Sequence, residues 1–139
     1  MIRKYPVDQH LKNDCHLLCH LDKSQLLLMD NVAVLWFILV PDNNKIEWYE
    51  LPENQQLKLN QTINLLSRFI KHEMHFDKVN IATIGNIVEQ MHIHVVGRKK
   101  SDTYWPEVVW GKAKTAAYTV SEVGDIRQKI QLYFDVESG

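Results

Sequence analysis

The alternation of apolar and polar residues divides the first half of the chain into short strands and one long helix. Three apolar segments separated by polar turn residues predict strands: CHLLCHL (15–21), SQLLLM (24–29) and LWFILV (35–40), the last followed by Pro41. From Pro52 onward the spacing of apolar residues changes to every three or four positions. This spacing predicts an amphipathic helix whose apolar face contains Leu59, Ile63, Leu66, Ile70 and Met74.

The second half of the chain continues the pattern with two further strands and a closing helix. KVNIATI (78–84) predicts a fourth strand, Gly85 and Asn86 a turn, and QMHIHVVGR (90–98) a fifth strand. Ser121 is the predicted N-cap of a C-terminal helix whose buried face contains Val123, Ile126, Ile130 and Tyr133. Together these elements predict an α+β fold built on an antiparallel sheet, with residues 1–139 forming one domain.

Composition and charge exclude several classes of protein. The chain has 16 basic and 17 acidic residues, so it lacks the basic excess expected for binding nucleic acid polymers or anionic membranes. The longest apolar run, Val32 to Val40, is far shorter than the roughly 20 residues needed to cross a bilayer. The N-terminal sequence MIRKYPVDQH has no signal-peptide apolar region, and Cys15 and Cys19 indicate no disulfide framework. We therefore predict a cytoplasmic protein.

The fifth predicted strand carries the most informative polar residues. Side chains alternate faces along a strand, so Gln90, His92 and His94 share one face while Met91 and Ile93 lie on the other. The plainest interpretation is a solvated surface. A second is a metal site, which needs a third ligand, and HEMH at 72–75 lacks the HExxH spacing. Candidate third ligands are His16, His20, His72 and His75.

A third interpretation, nucleophilic catalysis by imidazole, explains the spacing better than the other two. A neutral histidine keeps a lone pair on one ring nitrogen, and an ordinary pKa of about 6.5 leaves that form abundant at pH 7. Such a nitrogen attacks phosphorus, and the charge that develops then needs a nearby donor. We expect His92 and His94 to supply the nucleophile and the donor from one strand face.

Four blocks in sequence order resemble the histidine triad (HIT) superfamily of nucleotide hydrolases and nucleotidyl transferases. Residues 90–96, QMHIHVV, are similar to the His-φ-His-φ-His-φ-φ motif, where φ is apolar, with glutamine in place of the first histidine. The other blocks are DNVAVLWFILVP (30–41), NIATIGNIV (80–88), and Gly97-Arg98 with Trp105-Pro106. WPEVVWG (105–111) is similar to a bacterial branch of the superfamily that has the same glutamine.

The resemblance implies a mechanism and a set of site residues. His92 would attack the α-phosphorus of a nucleotide or dinucleotide and form a covalent nucleotidyl-histidine, which water then hydrolyses. His94 would hydrogen-bond the phosphate or the leaving group, and the main-chain carbonyl of Gln90 would orient His92. Asp30 would hold the ribose hydroxyls. The remaining predicted nucleotide-binding residues are Asn80, Asn86 and, with Leu26, Leu28 beside the base. The mechanism requires neither a metal nor a cofactor, and the resemblance implies a homodimer with joined sheets.

Several residues depart from the family pattern and leave a second function open. Gln90 cannot act as an acid, Ile87 replaces a common serine or threonine, and Trp36 stands where some members have histidine. These changes are also compatible with a regulatory module that binds nucleotides without cleaving them. Outside the motif, the run from Arg98 to Lys100 could neutralise a polyphosphate tail, but a charge run after a strand is more often a solvated turn, which we favour. For Trp105 and Trp110, a base pocket and a subunit contact both remain open, and the resemblance favours the subunit contact.

Overall fold

The computed structural model describes residues 2–135, in which five strands form one antiparallel sheet. The spatial order of the strands is β1-β2-β3-β5-β4. The strands are β1 (Cys15–Leu21), β2 (Ser24–Met29), β3 (Leu35–Pro41), β4 (Lys78–Ala82) and β5 (Ile93–Arg98). With one long helix and one C-terminal helix, this sheet confirms the predicted α+β fold. The ends of the predicted domain, Met1 and Gly139, lie outside the described residues.

Both long helices pack on one face of the sheet. Helix α2 (Glu53–Arg68) follows Pro52 and continues into a π-helical turn, Phe69–Glu73. The predicted apolar spacing buries Leu59, Ile63 and Leu66 against the sheet. Each fully buried leucine or isoleucine side chain contributes roughly 1.5–3 kcal/mol to stability. This apolar core therefore fixes α2 on the sheet.

The C-terminal helix, which we label α3 (Val120–Phe134), begins one residue before the predicted cap at Ser121. Thr119 is the observed N-cap. Its hydroxyl accepts a hydrogen bond from the Glu122 amide at 3.1 Å, and the Glu122 carboxylate accepts one from the Thr119 amide at 2.8 Å. This reciprocal capping box needs an acid three residues after the cap, whereas Gly124 occupies that position relative to Ser121. The predicted buried face is confirmed for Val123, Ile126 and Ile130.

The opposite face of the sheet is covered by the N-terminal segment and by the chain after β5. Val7, Leu11, Tyr104 and Val109 pack there on sheet residues that include Trp36. Leu11 belongs to a short helix, α1 (Gln9–Asp14), which the sequence pattern did not predict. Because both faces are covered, every residue of β3 and β5 is buried. The histidine strand is therefore interior, which excludes the solvated-surface interpretation.

The ends of the two last strands differ from the prediction. β4 stops at Ala82, which pairs with His94, and β5 begins at Ile93. The predicted segments reached from 78 to 84 and from 90 to 98. The residues between the strands leave the ladder, and 84–88 turn aside to line the cavity described below. Within residues 2–135, no helix is long and apolar enough to cross a membrane.

Candidate active site

His92 lies immediately before β5 and has a defined tautomer. Its Nδ1 is 2.7 Å from the main-chain oxygen of Gln90. A carbonyl oxygen only accepts hydrogen bonds, so Nδ1 carries the proton and the basic lone pair is on Nε2. The residue is buried, with 6% of its surface exposed, and it lines a cavity on this face of the sheet. The Nε2 atom of His92 is thus prepared to act as a nucleophile.

His94 has the opposite tautomer because its partner only donates. The indole Nε1–H of Trp36 donates to Nδ1 of His94 at 3.0 Å. An indole nitrogen cannot accept a hydrogen bond, so the proton of neutral His94 is on Nε2. The rings of His92 and His94 are 4.9 Å apart between centroids. The two neighbouring imidazoles therefore offer one acceptor, on His92, and one donor, on His94.

Burial keeps His94 neutral at physiological pH. Burial and, secondarily, the nearby His92 lower the pKa of His94 from 6.5 to about 3. An imidazolium would lose hydration in this environment and would also face the Trp36 N–H, which repels a second proton on Nδ1. His94 consequently offers its Nε2–H to the cavity as a neutral donor rather than as a cation.

The two histidines line a cavity of about 400 Å³. A cavity with apolar walls and a few polar groups is typical of a small-molecule site. The cation Lys112 lies at its margin and is paired with Glu107. The apolar walls include Leu11, Met29, Trp36, Ile87, Val109 and Trp110, and the polar lining includes His10, Asp14 and Asn86.

Comparison with known proteins identifies the family of this chain. The HIT domain model matches residues 10–101. The chain belongs to the histidine triad (HIT) family. Three solved structures illustrate the likeness. A histidine triad protein from Marinobacter aquaeolei is 34% identical, with 94% of this chain and 96% of that chain covered and a TM-score of 0.89.

The second structure is a histidine triad protein from Bradyrhizobium japonicum, which is 31% identical. The match covers 94% of this chain and 98% of that chain, with a TM-score of 0.89. The third is a diadenosine triphosphate hydrolase from Plasmodium falciparum in complex with Cyclomarin A. At 14% identity, 97% and 83% coverage and a TM-score of 0.64, it shows a shared fold only. No curated protein matches the chain.

Gln90, at the first histidine position of the HIT motif, turns its side chain away from the cavity. Its Oε1 accepts a hydrogen bond from the Asp8 amide at 2.7 Å, and its Nε2 donates to the Pro6 carbonyl at 2.9 Å. Only its main-chain oxygen serves the histidine pair. Residue 90 precedes β5, and its side chain binds the N-terminal segment, which covers the same face of the sheet as Trp36 and His94.

Asp30, the predicted ribose ligand of this HIT protein, holds other parts of the chain. Its carboxylate accepts hydrogen bonds from the Tyr118 amide at 2.9 Å and from Lys114 Nζ at 3.2 Å. His16 Nε2 is 3.0 Å from the same carboxylate. Burial raises the pKa of Asp30, but the contacts with His16, Tyr118 and Lys114 outweigh it and lower the pKa overall. Asp30 is thus ionised at neutral pH beside the end of β2.

Asn80 and Arg98 lie in a buried polar cluster rather than at an exposed turn. Arg98 is only 1% exposed, and its guanidinium donates two hydrogen bonds to Asp102 at 2.9 and 3.1 Å. It also donates to Asn80 Oδ1 at 3.0 Å and lies over the Trp105 ring. The solvated-turn interpretation is therefore wrong for Arg98, although Lys99 and Lys100 are exposed. The cluster joins β4, β5 and the following loop.

Leu28, the predicted base contact, lies on the face of the sheet opposite the cavity. It is fully buried in the core beneath the two long helices, together with Leu26. The alternation along β2 points Met29 to the cavity instead. The prediction chose the face of β2 that is turned away from the cavity. Because β2 is covered on both faces, its sequence has no polar side that shows which face meets the site.

Sequence reasoning missed two parts of the cavity wall. Trp36 was noted as a departure from the family, but its hydrogen bond to His94 was not foreseen. Helix α1, which contributes His10, Leu11 and Asp14, was not predicted at all. The signal for α1 was present in Asp8, whose carboxylate accepts from the His10 amide at 2.8 Å as an N-cap. Six residues are too short for a helical apolar spacing to stand out.

The metal interpretation has no support within the described part of the chain. Residues 2–135 contain no group of three histidine, cysteine or acidic side chains placed to hold a metal ion. The candidate third ligands His16, His20, His72 and His75 therefore do not complete a site with His92 and His94 in this structure.

Proposed function

We propose that this HIT protein hydrolyses or transfers a nucleotidyl group through His92. The observation that carries the proposal is the pair of opposite tautomers: His92 presents a basic Nε2, and His94 presents Nε2–H beside it. A nucleophile next to a hydrogen-bond donor is what attack on a phosphate requires, since negative charge develops on the non-bridging oxygens. The substrate would be a nucleotide or dinucleotide bound in the cavity.

The reaction would proceed in two displacements at the α-phosphorus. In the first, the lone pair of His92 Nε2 forms an N–P bond while the bond to the leaving group breaks and that group keeps the electron pair. In the second, a water oxygen attacks phosphorus, the N–P bond breaks, the electron pair returns to Nε2, and the water proton goes to solvent. His94 donates to a phosphate oxygen in both steps. The Gln90 carbonyl keeps the proton of His92 on Nδ1 throughout.

The surroundings of His94 favour leaving groups that depart as stable anions. Loss of the Nε2 proton would leave an imidazolate, because Trp36 donates to the other nitrogen and cannot supply a replacement. The Gln90 side chain is likewise unable to protonate a leaving group and points elsewhere. Phosphate leaving groups of dinucleoside polyphosphates need no such proton, whereas an amine leaving from a phosphoramidate does. We expect phosphoanhydrides to react faster.

The test is chromatographic detection of AMP released from diadenosine triphosphate and from adenosine phosphoramidate, in the presence of a chelator. Wild type should release AMP, preferentially from the anhydride, and His92→Ala should lower the rate by at least about a thousandfold, since it removes the nucleophile. His72→Ala, which changes an exposed histidine outside the cavity, is the matched control and should keep full activity. Quenching in alkaline denaturant, in which an N–P bond survives, should trap an adenylate on His92 detectable by mass spectrometry.

One observation favours a second function, a nucleotide-binding regulatory module. The side chain at the first triad position is committed to Pro6 and Asp8 and takes no part in chemistry. Binding of AMP by wild type without turnover of either substrate would select this function. Equal AMP release by wild type and His92→Ala would contradict both the nucleophile and the proposed mechanism.

Homodimer formation and a cytoplasmic location belong to the same proposal. β4 is an edge strand of the sheet and carries the exposed Ile81, so it offers a place for a second copy. Asn86, which lines the cavity, is a proposed contact for the nucleotide. Asp30 is a proposed ribose contact on its place in the family motif alone, since its carboxylate binds Tyr118, Lys114 and His16 and it does not line the cavity. Asn80, held by Arg98, would act from farther along the same face of the sheet.

A further inference from the structure

The side chain of Gln90 connects the histidine motif to the start of the chain. Both polar atoms of its amide bind the backbone of residues 6–8, which we call the N-terminal strap. Oε1 accepts from the Asp8 amide at 2.7 Å, and Nε2 donates to the Pro6 carbonyl at 2.9 Å. A primary amide matches this arrangement of one acceptor and one donor two residues apart. Residue 90 therefore joins segments more than 80 positions apart in sequence.

Helix α1 follows the strap directly and forms one wall of the cavity. Asp8 caps α1 through the His10 amide, and Val7 and Leu11 anchor the segment in the apolar cluster beside Trp36. The cavity-facing residues of α1 are His10, Leu11 and Asp14. The position of the strap therefore determines the position of this wall.

Three further observations separate the strap from the catalytic pair. The main-chain oxygen of Gln90, not its amide, binds His92, so replacing the side chain leaves the nucleophile's hydrogen bond available. The HIT domain model begins at residue 10, so the strap precedes the segment that matches the family. Residues 4 and 5 are fixed independently, because their amides donate to Asp42 at 2.9 and 2.8 Å. Loss of the Gln90 side-chain amide would thus remove the polar anchors of residues 6–8, while Asp42 still holds the chain upstream and the apolar contacts of Val7 and Leu11 remain.

We propose that Gln90 is a positioning residue that holds α1 against the bound nucleotide, and that α1 is a specificity-determining wall of the site. The inference rests on the proposed function only in taking the cavity to be a nucleotide site. Instead of facing the substrate as a triad side chain, the Gln90 side chain contributes to substrate binding indirectly, by holding the N-terminal strap. Its loss should weaken nucleotide affinity and leave the chemical step intact.

The experiment compares Gln90→Ala, Gln90→Glu and the matched control Asp42→Asn with wild type. Hydrogen exchange at the Asp8 and Tyr5 amides reports which anchor has been released, and calorimetric titration with AMP gives the dissociation constant. Gln90→Ala should accelerate exchange at Asp8 about tenfold or more and raise the AMP dissociation constant about three- to tenfold, because α1 is in place for a smaller fraction of the time.

The other variants give distinct expected results. Gln90→Glu keeps the acceptor for the Asp8 amide but replaces the donor to the Pro6 carbonyl with an oxygen, which repels it. The Asp8 exchange rate and the AMP dissociation constant should therefore lie between those of wild type and Gln90→Ala. Asp42→Asn should accelerate exchange at Tyr5 without changing AMP affinity. If the Gln90 variants turn over substrate, KM should rise in both while kcat stays within about twofold, since His92 is still oriented by a main-chain oxygen.

Each contrary result has a definite meaning. If hydrogen exchange at the Asp8 amide is unchanged in Gln90→Ala, the Gln90 side chain does not hold the strap. If that exchange accelerates but AMP affinity is unchanged, α1 is not part of the site. A fall in kcat with KM unchanged would assign Gln90 to the chemistry. Any of these overturns the inference. Failure of wild type itself to bind AMP would instead overturn the proposed function, and the inference with it.

Discussion

At the scale of single residues, the site depends on what each hydrogen-bonding partner is unable to do. A carbonyl cannot donate, and an indole N–H cannot accept, so Gln90 and Trp36 set opposite tautomers on two adjacent imidazoles. A histidine at position 36 would be able to exchange donor and acceptor roles with His94. Trp36 removes that freedom, and it shares an edge-to-face contact with Trp110 at 6.0 Å.

Replacing Trp36 by phenylalanine tests this tautomer lock. The substitution keeps an aromatic ring but removes the donor, so the Nδ1–H form of His94 becomes accessible. We expect ¹⁵N NMR to show a mixture of tautomers and kcat to fall about tenfold with little change in KM, since the donor is needed mainly in the transition state. Trp105→Phe, which changes the ring beneath Arg98, is the control. An unaltered Nε2–H form in Trp36→Phe would refute the lock.

At the scale of elements, close contact with the π-helical turn after α2 holds β5 in place on the face opposite His94. Gly97 lies in β5 on the face opposite His94, where a Cβ would stand 2.8 Å from Ile70 and 3.1 Å from Phe76. Ile70 belongs to the π-helical turn that ends α2. The absence of a side chain at 97 therefore allows the strand and this turn to approach one another.

Gly97→Ala should accordingly lower the free energy of unfolding by about 1–3 kcal/mol, because the buried Ile70 and the partly buried Phe76 must shift. Gly124→Ala is the matched control, since α3 is helical there and a Cβ would meet nothing within 4 Å among residues 2–135. It should raise stability by about 0.5–1 kcal/mol. Urea denaturation of both variants measures the difference, and equal stabilities would contradict the close packing.

At the scale of the whole molecule, covering both faces of the sheet places ionisable side chains in the interior. His94 and Arg98 are both nearly inaccessible, yet the structure treats them differently. Arg98 is paired with the carboxylate of Asp102, whereas His94 receives an indole donor and is neutral. The buried neutral imidazole makes stability depend on pH.

The pH dependence has a definite sign. The pKa of His94 is about 3 in the folded protein and near 6.5 when the chain is unfolded, so between these values only the unfolded state binds the proton. Stability is therefore complete above about pH 6.5 and is lost as the pH falls toward 3. The loss should reach up to about 2 kcal/mol between pH 6.5 and 5.

Urea denaturation of wild type and His94→Asn at pH 7 and pH 5 measures this contribution. Asparagine does not titrate, so the variant should lose clearly less stability on acidification than wild type does. Identical losses would show that His94 takes up its proton in the folded state as readily as in the unfolded one.

The sequence alone determined most of the elements, the family and the proposed nucleophile. Alternation predicted all three early strands, the spacing of Leu59, Ile63 and Leu66 predicted the long helix, and the motif around His92 predicted the family. These features are local: each depends on residues within a few positions of one another, and the backbone period alone determines which side chains share a face.

Only the tertiary structure decided what each face meets. Alternation separates Leu28 from Met29 but does not say which of them reaches the cavity, and it gives no sign that Arg98 is buried beside Asp102. Gln90 and Trp36 acquire their roles from partners more than 50 positions away. Such pairings depend on strand order and on the loops that cover the sheet, because burial and hydrogen-bond partners are properties of the packed chain and not of its local pattern.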